Sequence, residues 1–269
     1  MIKRAGFGAV IILIGGMALL QTVFLLQIVA PDYFLIYAES INYFSRFYRL
    51  VMYLVLGAII LIEIRDLGEF HIDKFTITTF ILSSFLRQRS GIIGDEFFLI
   101  FIALVGVSII FALIIVKPKI VGTNIRWTLA SITIGIIAII VITLLELFFR
   151  ESWQLTPPFA GNLTATVISH IVRQFSLGAL TEEILFRGFL WGYLRRRNWA
   201  ETQICWAQGA LFWLMHFSRV ITPFTFFFTI PLLALISSIL TFRTKQLFPA
   251  ILFHTVINVL SALLNLATY

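Results

Sequence analysis

The chain is a succession of apolar runs, each about as long as a bilayer is thick. Runs of roughly 17 to 25 residues are needed for a tilted helix to cross a hydrocarbon core of about 30 Å. They occur at 6–30, 48–64, 97–116, 128–149, 202–218, 224–241 and 247–267, and an eighth is contained within 163–194. Backbone amides in lipid must be satisfied within the segment, which leaves helices as the solution for runs of this length. The expected fold class is therefore all-α, a polytopic transmembrane helix bundle of about eight spans. Composition agrees: 60% of the 269 residues are hydrophobic, 12% are charged, and the mean hydropathy is +1.00. An ordinary soluble domain is excluded by those values.

The excess of 20 Lys+Arg over 13 Asp+Glu, net +7, falls mainly between the apolar runs. It reports membrane orientation and contact with lipid, and no nucleic-acid partner is expected. Lys3/Arg4, Lys117/Lys119/Arg126, Arg195/Arg196/Arg197 and Arg243/Lys245 belong on one side under the positive-inside rule. That requires an even number of crossings between residues 4 and 117, where only three long runs are found. Either the 12-residue run 75–86 also crosses, or one early run does not; nine crossings would put the C-terminus outside. The run 6–30 follows two basic residues but is too long, and lacks the small-residue cleavage pattern, for a signal peptide, so it is expected to remain as the first span. The single Cys205 excludes an internal disulfide and a thiolate metal cluster, and reads as a small core residue.

No repeat or low-complexity linker divides the chain, so 1–269 reads as one integral domain. Residues 1–150 look like scaffold and about 160–267 hold the unusual polar groups. Pro157-Pro158 and Gly161-Asn162 mark the longest break. The segment 163–194 would be about 48 Å as a single helix, more than one crossing needs, and a break near Arg173 to Gly178 is expected.

Within it, Thr181-Glu182-Glu183-Ile184-Leu185-Phe186-Arg187-Gly188 places three charges in an apolar setting. Each costs roughly 2.5–3.5 kcal/mol at a span centre on insertion scales, and such residues mark function by default; the structural alternative is an inward-facing ion-pair cluster. Glu183 and Arg187 are four apart and share a face, so Glu183 is expected to stay ionised and orient the helix. Glu182 is turned about 100° away, lacks that partner, and is the carboxylate suited to take a proton from water. Phe212 and His216 form a second four-residue pair, His254 and Asn258 a third. Counted along straight helices from the basic loops, at 1.5 Å per residue, Glu182, His216, His254 and Asn258 all reach depths of about 14 to 22 Å.

A Glu, two His and an Asn at one depth suit hydrolysis by water. One carboxylate with a His deprotonates the water; the other His and the amide donate hydrogen bonds to the developing oxyanion. The same Glu182, His216 and His254 also form the donor set of a zinc triad, so a divalent metal, zinc, stays open as a cofactor. Interhelical hydrogen bonding is the structural alternative for the His/Asn pair. A transporter or proton relay is a rival reading of intramembrane Glu and His, although it predicts repeated halves and none is visible. A catalytically silent immunity or binding protein is a second rival. His-Glu-x-x-His, Gly-x-Ser-x-Gly and Gly-x-Gly-Asp patterns are absent from the sequence.

Glu182-Glu183-x-x-x-Arg187, Phe212-x-x-x-His216 and His254-x-x-x-Asn258, in that order on successive apolar segments, resemble the CPBP family of intramembrane proteases. That family includes the CAAX prenyl endopeptidases and the bacteriocin-processing or immunity proteins of bacteria. The resemblance covers roughly 160–267. It implies a helical bundle with an intramembrane polar cavity, and an endopeptidase acting on a membrane-embedded or lipidated protein or peptide. Glu182 and His216 would activate water, His254 and Asn258 would form the oxyanion site, and Glu183, Arg187 and Phe212 would support them. A bacterial inner membrane is the implied location.

Among other polar residues, Glu146 reads as an interfacial partner of Arg150, His170 and Arg173 as contacts to lipid phosphate or the site entrance, and Trp191, Trp199, Trp206 and Trp213 as interfacial anchors or packing.

Overall fold

The computed structural model describes residues 124–149, 163–176, 178–216 and 224–264, with a scatter of positions between 15 and 55. The runs 6–30, 48–64, 75–86 and 97–116 therefore lie outside, or almost outside, the described residues, as do His71 and Arg150. The described part is helical, with no strand among its residues. It comprises α1 (Ile125–Phe149), α2 (Leu163–Ser176), α3 (Ala179–Glu183), α4 (Trp191–Arg196), α5 (Glu201–Leu214), α6 (Ile230–Thr244) and α7 (Phe248–Leu263). A π-helical stretch, Ile184–Leu190, joins α3 to α4 without interruption, and another, Thr225–Thr229, leads into α6. Among the described residues, two helical segments are long and apolar enough to cross a membrane, Ile125–Glu146 and Thr225–Thr244.

Local chemistry sets most of the boundaries. Asn124 caps α1 by accepting the Arg126 N–H at 3.1 Å, which satisfies one of the orphan amides of a first turn. The Ala200 N–H donates to Gln203 Oε1 at 3.0 Å at the start of α5. Pro249 sits in the first turn of α7, where a missing N–H costs nothing, and Pro231 falls just where the π-helical stretch passes into α6. Lys245 ends α6 in the left-handed region, φ 56°, and its N–H returns to Thr241 O at 2.8 Å, the αL stop that usually falls to glycine.

The expected break within 163–194 is present: α2 ends at Ser176 and α3 begins at Ala179. The run 202–218 is shorter as a helix than its apolarity suggested. Helix α5 stops at Leu214, and Met215 and His216 form a turn beyond it.

Helix α7 is the centre of the described bundle and packs against α1, α2, α3 and α6. Its crossing with α1 is close at Gly135, where an added Cβ would meet Val256 Cγ1 at 2.8 Å; small residues at such crossings are how apolar helices approach in lipid. The core is built from Leu185, Phe186, Phe189, Trp191, Ile204, Phe212, Phe253 and Ile257 among others, all buried. Outward positions of α1 are Ile137, Ile140 and Leu144, side chains suited to lipid. The tryptophans divide: Trp191 is buried, Trp206 is 70% exposed, and Trp213 donates its indole N–H to Phe226 O at 2.8 Å.

Candidate active site

All seven motif residues are buried, and they come from four elements. Helix α3 supplies Glu182 and Glu183, the π-helical stretch supplies Arg187, α5 and the turn after it supply Phe212 and His216, and α7 supplies His254 and Asn258. A π-helical turn is rare and tends to mark functional sites. This one begins directly after the acidic pair.

Glu183 and Arg187 pair as their spacing predicts, Nη1 to Oε1 at 3.3 Å, and both side chains are fully buried. The guanidinium also donates through Nη2 to Ala234 O at 2.9 Å, and its carbon lies 4.5 Å from the centroid of the Phe212 ring. Phe212 is thus the platform for a desolvated cation. The same ring meets His254 edge-on at 5.9 Å and lies against the His216 imidazole at 4.5 Å. The Ala234 carbonyl is shared with Ser238 Oγ, which donates to it at 2.6 Å, and Ser238 in turn accepts from Gln208 Nε2.

Glu183 does more than the sequence indicated. Its Oε1 lies 2.8 Å from His254 Nδ1, so the carboxylate oxygen that accepts from Arg187 also accepts the imidazole N–H. Spacing alone assigned this carboxylate to Arg187, because the His254 contact bridges 71 positions.

The two imidazoles have their protons placed by groups that only accept. His216 Nδ1 lies 2.7 Å from the Phe212 carbonyl, which requires Nδ1 to be the donor. The cause is the end of α5. Met215 N–H takes Leu211 O and His216 N–H takes Trp213 O, which leaves Phe212 O as an orphan acceptor of the last turn, and the histidine side chain fills it. His254 Nδ1 likewise donates to Glu183. In both neutral rings the lone pair is then on Nε2.

Both Nε2 atoms face Glu182. His216 Nε2 is 3.6 Å and His254 Nε2 3.9 Å from Glu182 Oε2. These separations are too long for direct hydrogen bonds and short enough for one oxygen atom to lie about 2.8 Å from each partner. Glu182 and the lone pair of His216 Nε2 can accept both hydrogens of a water molecule whose oxygen lies there, and His254 Nε2 faces the same place. Two lone-pair nitrogens and a carboxylate are also zinc-type donors, yet among the described residues no group of three His, Cys, Asp or Glu has the arrangement that holds a metal ion.

Asn258 makes the kind of interhelical hydrogen bond that was the structural alternative for the His254/Asn258 pair, from α7 to α2. Its Nδ2 donates to Gln174 Oε1 at 2.9 Å, and its own Oδ1 is buried with no hydrogen-bond partner. Gln174, on α2, is the site residue that sequence reasoning missed. The available signal was an amide inside an apolar run, four positions before a glycine. Neighbouring Arg173 is exposed and His170 half-buried. Glu146 is buried on α1, and its expected partner Arg150 falls outside the described residues.

No curated protein and no solved structure matched the chain. Residues 164–260 match the family model described as type II CAAX prenyl endopeptidase Rce1-like, and this segment contains every motif residue on which the resemblance to the CPBP proteases rests.

Proposed function

We propose that the chain is an intramembrane endopeptidase that hydrolyses a peptide bond in a membrane-embedded or lipidated protein or peptide. The observation that carries this reading is the convergence of His216 Nε2 and His254 Nε2 on one oxygen of Glu182, at 3.6 and 3.9 Å, in a buried setting. The family match over 164–260 supports a protease and a prenylated or otherwise membrane-anchored substrate. The chain is read as a multi-pass protein of a bacterial inner membrane, with about eight spans around a polar cavity.

Water held between Glu182 and His216 gives a proton to this pair as its oxygen bonds to the scissile carbonyl carbon. The carbonyl π electrons move onto oxygen. That oxyanion needs donors, and His254 supplies one by entering the step already as an imidazolium, with a hydrogen on Nε2 in place of the neutral ring's lone pair: Nδ1–H remains on Glu183 and Nε2–H faces the substrate oxygen. Glu183 matches the imidazolium charge, the part an acidic residue plays behind a catalytic histidine. Asn258 Nδ2 carries a second hydrogen beyond the one given to Gln174, and it is the other donor. Collapse of the adduct breaks the C–N bond, and the amine leaves with the proton taken from water.

Arg187 and Phe212 hold this arrangement from behind. The guanidinium fixes Glu183, and the ring fixes both imidazoles.

The test is cleavage of a library of lipidated and unlipidated membrane peptides bearing a fluorophore and quencher, by the purified parent and by Glu182→Ala, His216→Ala and His254→Ala. Each substitution is expected to lower turnover by about 10²–10⁴-fold, the range for a positioned acid–base group or an oxyanion donor. Cleavage that survives all three overturns the reading.

A further inference from the structure

We propose that Gln174 is a positioning residue that sets which end of the Asn258 amide faces the reacting carbonyl; this rests on the function proposed above. The inference follows from a chain of donors and acceptors with only one consistent solution. The Ala179 backbone N–H, which can only donate, meets the Gln174 side chain at 3.2 Å, so the atom there is the carbonyl oxygen Oε1. That same oxygen faces Asn258 at 2.9 Å. A carbonyl oxygen carries no hydrogen and accepts through both lone pairs, so Asn258 must present its NH₂, and its second N–H is left over for the substrate. Were the Gln174 amide reversed, Asn258 would turn its Oδ1 toward it and aim differently.

The same oxygen ties two helices together. Ala179 opens α3, which carries Glu182 and Glu183 three and four residues later, whereas Asn258 belongs to α7. One buried acceptor thus sets the acidic pair, with the water-activating Glu182, and the oxyanion donor Asn258 relative to each other. Space for it is provided by Gly178, where an added Cβ would run into Gln174 Oε1 and lie 2.9 Å from its Cδ. Gln174 is itself buried, 7% exposed, so water does not substitute freely for the amide.

Four variants test the assignment: Gln174→Leu, which keeps bulk and removes the acceptor; Gln174→Glu, which keeps an acceptor for both N–H groups; Gly178→Ala, which pushes the amide out of place; and Asn258→Ala. In the peptide assay, Gln174→Leu and Gly178→Ala are expected to lower kcat about 10- to 100-fold with KM within about twofold, because an oxyanion contact acts in the transition state. Gln174→Glu is expected to stay within about fivefold of the parent, and Gln174→Leu combined with Asn258→Ala to be no slower than Asn258→Ala alone. A second readout needs no substrate. In thermal unfolding of the purified protein, the Gln174→Leu/Asn258→Ala double variant should fall by less than the sum of the two single shifts. Unchanged kcat in Gln174→Leu, failure of rescue by Gln174→Glu, or additive melting shifts overturns the assignment. If Glu182→Ala still cleaves, it is the protease reading that fails, and the melting cycle decides the Gln174–Asn258 coupling independently.

Discussion

Arg187→Leu removes a charge from a place that water does not reach. Arg187 and Glu183 are both 0% exposed, so the variant leaves a buried carboxylate with the His254 N–H as its remaining hydrogen-bond partner, since Oε2 has none. Breaking a buried pair by deleting one member costs about 3–5 kcal/mol. The other contacts change this little. Ala234 O keeps the Ser238 hydroxyl, so no carbonyl is orphaned. The Phe212 ring loses a cation worth roughly 2 kcal/mol when desolvated but gains apolar contact with the leucine. At about 2–4 °C per kcal/mol for a chain of this size, Tm should fall by roughly 6–20 °C in detergent, followed by tryptophan fluorescence. Adding Glu183→Gln neutralises the stranded charge, so the double variant should lose clearly less than the sum of the two single variants, with a coupling of at least about 1 kcal/mol. A single variant within about 2 °C of the parent, or additive losses, would refute this account of the pair.

Two further outcomes follow from the geometry. Gly135→Ala forces a methyl group against Val256 Cγ1 and should destabilise by about 1–3 kcal/mol, the range for overpacking, with Val256→Ala recovering most of the lost Tm; if Gly135→Ala melts with the parent, the α1–α7 crossing is looser than drawn. On the water-only use of Glu182, His216 and His254 proposed above, peptide cleavage should persist in a strong chelator; loss of activity restored by added zinc would establish the metal reading of the same three residues.

The helical class and the break before the acidic pair were legible in the sequence because both are local. Hydropathy marks a run, and a lone Gly after polar residues marks an interruption. The shared depth of Glu182, His216 and His254 was also legible, since rise per residue converts loop distance into height. Lateral relations were not. The hydrogen bond from His254 to Glu183 and the one from Asn258 to Gln174 join residues 71 and 84 positions apart, and nothing in either segment names its partner. Four-residue spacing gave Glu183 to Arg187 alone, and for Asn258 it indicated an interhelical hydrogen bond without saying to which residue. The end of α5 was hidden for a different reason: the residues after Leu214 remain apolar or aromatic, so hydropathy carried the run to 218 although the hydrogen-bond ladder stops earlier.

That early stop has a consequence for what substitutions can and cannot do. The atom holding His216 is a main-chain oxygen, so no side-chain replacement at position 212 deletes it, and a mutational scan there reads only the ring. The oxygen is available because the ladder fails to claim it. A sequence that wound α5 one turn further would give Phe212 O to the amide of residue 216, and the imidazole would be free to move its proton to the other nitrogen. The nitrogen of His216 that carries the lone pair is thus governed by where a helix runs out, and changes that merely lengthen the helix would release that choice while every motif residue stayed in place.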